Sequence, residues 1–64
     1  MKYEMAHYRH NDAMWRKIDS IINETTPETM QAFTSMMGFT KTVYGSFWKL
    51  EAYNEAVEIT IIEE

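Results

Sequence analysis

Sixty-four residues make one domain, 1–64, with no cysteine and a formal net charge of −4. Disulfides and thiolate metal sites are thereby excluded. A chain of this size buries only about 60% of its unfolded surface, so close packing, self-association or a partner must supply part of its stability. The acidity is local: residues 51–64 hold five carboxylates (Glu51, Glu55, Glu58, Glu63 and Glu64) and no cation, whereas residues 1–50 hold five acids and six bases. That balance argues against direct nucleic-acid binding, which needs a cationic footprint.

Residues 2–9 alternate loosely, with Tyr3, Met5 and His7 on one side. This pattern predicts a first strand, although a helical turn through Met1, Met5 and Tyr8 has similar spacing. No apolar leader follows Met1, and no apolar run approaches membrane-spanning length, so the expected location is cytoplasmic. Residues 12–24 place Met14, Trp15, Ile18, Ile21 and Ile22 at helical spacing, opposite Arg16, Lys17, Asp19, Ser20 and Asn23. Asn11 is a candidate cap and Asp12 suits a helix start, so a helix is predicted.

A second helix is predicted over 27–37. Thr26 would cap it, Pro27 would take its first position, and Met30, Phe33 and Met37 would form its apolar stripe. Gly38 would end it in the left-handed conformation, with Phe39 packing back on the last turn.

Beyond Phe39 the pattern becomes strand-like. Thr40–Tyr44 is rich in β-branched and aromatic residues, and Gly45-Ser46 has the composition of a two-residue type II′ turn. Residues 47–53 alternate, with Trp48, Leu50 and Ala52 expected to face inward. A helical alternative through Phe47, Leu50, Tyr53 and Val57 is disfavoured by the aromatic density. Asn54-Glu55-Ala56 is a short turn, and Val57, Ile59 and Ile61 mark the inner face of a last strand.

The expected fold class is α+β: a two-layer β-α-α-β-β-β arrangement, with an antiparallel C-terminal three-stranded meander packed on two helices. Its core would combine Trp15, Ile18, Ile22, Phe33, Met37, Trp48, Leu50, Ile59 and Ile61.

No constellation specifies a reaction. Ser20, Ser35, Ser46 and seven threonines lack a nucleophile-elbow context, and the glycines Gly38 and Gly45 are explained as cap and turn. No catalytic residue, cofactor or metal is assigned, and the expectation is a non-enzyme. His7, His10 and Asp12 have ligand chemistry, but residues three apart on a strand diverge. A metal-binding module is therefore only a secondary alternative.

Six methionines and nine aromatics suit contact surfaces. The candidate partner-binding residues are Tyr44, Phe47 and Tyr53 as an aromatic patch, Glu51, Glu55 and Glu58 as steering carboxylates, and Met36 off the stripe of the second helix. Against this stands the bland reading that the acids only keep the chain soluble and blunt a sheet edge. The expected role is a small acidic inhibitor or modulator of another protein with a basic surface. It would act by occlusion or by mimicking a nucleic acid. In size and charge alone, that is the build of phage-encoded proteins that block host enzymes or defence systems, acting in the host cytoplasm. The alternative is a chain whose useful property is forming a homodimer or larger homo-oligomer through an edge strand or the Met-rich helix. Neither direct nucleic-acid contact nor a membrane is expected.

Overall fold

The computed structural model describes all 64 residues. In chain order the elements are β1 (Lys2–Asn11), β2 (Met14–Glu24), α1 (Pro27–Met36), β3 (Thr40–Lys41), β4 (Phe47–Ala52) and β5 (Glu55–Glu63). The strands form one five-stranded sheet in the order β2-β1-β5-β4-β3, and every neighbouring pair is antiparallel. The expected β-α-α-β-β-β layout with two helices on a three-stranded meander is therefore corrected. The chain is mostly β and has one short helix.

The decisive difference is β2, which replaces the helix expected over 12–24. Asp12 and Ala13 both take positive φ, +52° and +66°. That is the two-residue type I′ geometry whose twist matches a hairpin. Asn11 therefore faces Met14 across a strand pair rather than capping a helix. The helical spacing has a physical origin in a bulge. His7 pairs with Asp19 but Tyr8 pairs with Lys17, so Ile18 is an extra residue in β2. A bulge shifts the alternation by one. Trp15 and Ile22 are seven apart and would fall on opposite faces of an unbroken strand. Here both lie on the face of β1 that carries Glu4, Ala6, Tyr8 and His10.

The helix at 27–37 forms over Pro27–Met36. Thr26 Oγ1 accepts a hydrogen bond from the Thr29 amide at 3.1 Å, satisfying an end amide that has no helical partner. At the other end, Gly38 has φ +79°. The Phe39 amide donates to the Thr34 carbonyl and the Gly38 amide to that of Ser35, a Schellman motif. Phe39 packs back on Phe33, with ring centroids 5.8 Å apart.

The helix covers one sheet face only. Met30 and Phe33 of α1 line a small cavity with Tyr3, Met5 and Ile59 of the sheet. Phe47 pairs with Ile59 and so shares that covered face. Trp48 and Leu50 therefore point the other way, opposite to expectation, because a one-residue change of register moves every side chain of a strand across the sheet. The two-residue turn is corrected as well. The Gly45 amide donates to the Thr42 carbonyl and the Thr42 amide to that of Ser46, giving a longer loop with Val43 and Tyr44 at its tip and Gly45 at φ +89°.

The core is thin. Ala6, Met30, Ala56, Val57 and Ile59 are its buried apolar members, and Ile59 is the only large side chain that is fully buried. Trp15, Ile18, Ile22, Phe33, Met37, Trp48, Leu50 and Ile61, all expected in it, are not buried. No helix is long and apolar enough to cross a membrane.

Candidate contact surface

The sheet face away from α1 has no covering layer, and the strand registers fix its membership. Across β1 and β2 it carries Glu4 beside Ile22, Ala6 beside Ser20, Tyr8 beside Lys17, and His10 beside Trp15. Across β5 and β4 it carries Glu58 beside Trp48 and Ala56 beside Leu50. The alanines of the two central strands are the smallest side chains on this face, and both are buried. Larger rings from the outer strands therefore have space to lie over the middle of the sheet.

The result is a continuous aromatic row. His10 meets Trp15 at 5.0 Å between centroids, Trp15 meets Trp48 at 5.5 Å, and Trp48 meets Tyr8 at 5.7 Å. The two outer contacts of Trp15 are edge-to-face or nearly so, the arrangement favoured by the ring quadrupoles.

A polar network runs beside the row. Tyr8 Oη donates to Glu58 Oε1 at 3.1 Å, and Ser46 Oγ donates to Glu58 Oε2 at 3.1 Å. Ser46 Oγ also bonds Thr42 Oγ1 at 2.8 Å, which ties the hairpin loop to β5. Loss of solvent around Tyr8 raises its pKa, and its hydrogen bond to Glu58 raises it further. At the β1–β2 junction Lys17 Nζ donates to Glu4 Oε2 at 3.2 Å. The hydrogen bond from Lys17, with a second from Ser20, holds the Glu4 carboxyl below its ordinary range. Lys17 is raised in turn, chiefly by the bond to Glu4.

The residues singled out from sequence are placed as follows. Tyr44 sits at the tip of the β3–β4 loop and Tyr53 in the β4–β5 turn, each 92% exposed. They occupy opposite ends of β4, roughly 20 Å apart for a six-residue strand. Phe47 lies on the helix-covered face, where it lines an open groove of about 670 Å³ beside α1. The three rings therefore do not form one patch. Glu55 is ion-paired with Arg9 at 3.4 Å, and Glu51 lies 3.8 Å from Lys49. Glu58 belongs to the uncovered face. Met36 is exposed near the end of α1.

His7 bonds Asp19 at 2.7 Å, His10 meets the Trp15 ring edge-on, and Asp12 is in the turn, so the three potential ligands do not converge. Sequence reasoning missed Tyr8, Trp15 and Trp48 as one surface. The spacing of Trp15 and Ile22 suits a bulged strand as well as a helix, so the segment alone held no deciding signal.

The chain matches no family model, and comparisons with curated proteins and with solved structures find no relative.

Proposed function

We propose that this chain is a small, non-enzymatic, cytoplasmic protein-binding module that inhibits or modulates another protein by covering part of its surface. The observation that carries this reading is the aromatic row on the uncovered sheet face. Tyr and Trp are favoured at the centres of protein interfaces because they bury large area at little entropic cost. Around the row, Leu50 and Ile22 add exposed apolar surface. The partner this favours has a basic rim, because the chain carries a net charge of −4 and Glu58 on this face is held by hydroxyls rather than by a cation.

Occlusion is better supported than nucleic-acid mimicry. A mimic needs free, regularly spaced charges, whereas Glu55 is paired with Arg9 and Glu51 lies beside Lys49. Affinity capture with the full chain tests the reading. Wild type and the loop variant Val43→Arg should retain the same protein from lysate of the native cell, less strongly as salt rises. Leu50→Arg, a change at an exposed site on the uncovered face, should release it. Retention indifferent to Leu50→Arg, or no retained protein, contradicts the proposal.

A further inference from the structure

We infer that β2 is a self-association edge, and that two copies pair β2 against β2 antiparallel about a two-fold axis near Ile18. β2 is the outermost strand of the sheet and eleven residues long, with a neighbour on one side only. On either side of the bulge at Ile18, alternate residues of β2 turn their amide and carbonyl outward, which makes it a template for another strand. The opposite end of the sheet is the two-residue β3, so the molecule has one long edge to offer. Pairing that edge with itself consumes it in both copies and gives a closed dimer rather than a filament.

The side chains along the edge fit this occupant. Met14, Ile18, Ile21 and Ile22 are 50%, 48%, 56% and 63% exposed, a density of large apolar groups that solitary edges avoid. Two charged guards are turned aside. Lys17 is drawn onto β1 by Glu4, and Asp19 is held by His7, so neither blocks an incoming strand.

Charge order selects the second copy over a foreign strand. Outside the Lys17–Glu4 and His7–Asp19 pairs, the first half of β2 carries Arg16 and the second half carries Glu24. An antiparallel two-fold sets the cationic half of each copy against the anionic half of the other, whereas parallel pairing would set like against like. The thin core adds a reason, because a chain with so few buried side chains gains stability from the apolar area a second copy covers.

Sedimentation velocity at rising micromolar concentration reads the outcome. Wild type should reach the mass of two chains. Ile21→Lys, which the symmetry introduces twice, should raise the dissociation constant about a hundredfold. The chain has no cysteine, so single replacements report proximity cleanly. On mild oxidation Ile18→Cys should form a disulfide-linked dimer and the loop variant Val43→Cys should not. A wild type that stays monomeric overturns the inference. So does a dimer in which Val43→Cys links as readily as Ile18→Cys. Leu50→Arg should leave the dimer intact, so loss of partner capture and loss of self-association are separate results.

Discussion

Trp15 and Trp48 meet edge to face, with ring centroids 5.5 Å apart and planes at 90°, although β1 and β5 lie between their strands. The small, buried Ala6 and Ala56 of the two intervening strands leave room for that contact. It joins the outer strand β2 to β4 through side chains alone. It acts as a second, smaller core on the face that α1 leaves bare.

Trp48→Ala removes the ring that touches both Trp15 and Tyr8. The variant should lose about 2 kcal/mol of stability, below the usual cost for a fully buried tryptophan because Trp48 is only partly buried. In a domain of this size the melting temperature should drop by roughly 10 °C. Tyr44→Ala and Tyr53→Ala, at exposed turn positions, should leave it nearly unchanged. Thermal melts followed by circular dichroism make the comparison.

Ala13 is a non-glycine residue held at φ +66° in the β1–β2 turn. A Cβ is disfavoured there, and glycine is the common choice at the second central position of a type I′ turn. Ala13→Gly should therefore stabilise the chain by about 1 kcal/mol, raising the melting temperature by roughly 5 °C. If residues 12–24 were helical, the same change would destabilise, so the sign of the shift distinguishes the two structures.

The Glu4–Lys17 pair predicts the acid limb of the stability profile. Glu4 titrates below its ordinary 4.5 in the folded chain, chiefly through its hydrogen bond from Lys17. Its contribution is present above that ordinary value and is lost as pH falls through the depressed one. Tyr8 and Lys17 are raised from 10.0 and 10.5, so their contributions hold below those values and fade as pH climbs past them. Denaturant titrations across pH should show a shallower acid limb for Glu4→Gln and a shallower alkaline limb for Tyr8→Phe.

What was legible in the sequence was local chemistry. Thr26-Pro27 and Gly38-Phe39 carry their own capping instructions, and α1 forms between them. The alternation of Val57, Ile59 and Ile61 likewise predicts an inward face that the structure keeps, with Val57 and Ile59 buried. What was not legible depended on pairing. The extra residue Ile18 gives β2 the spacing of a helix, and nothing within 14–24 announces the bulge. Phe47 and Trp48 are adjacent and both suit a core. Which one faces α1 is set by the register against β5, where Phe47 meets Ile59 and Trp48 meets Glu58. The same register puts Phe47 on the helix-covered face, away from Trp48 and Leu50.

Both the bare aromatic face and the self-pairing edge require residues 14–24 to be an outer strand. Backbone and side-chain assignment by nuclear magnetic resonance tests this most directly. An outer strand gives extended-chain shifts from Met14 to Glu24, with cross-strand contacts from Met5 to Ile21 and from Tyr8 to Lys17. Helical shifts through that segment, with successive amide-to-amide contacts and no approach to β1, would contradict it.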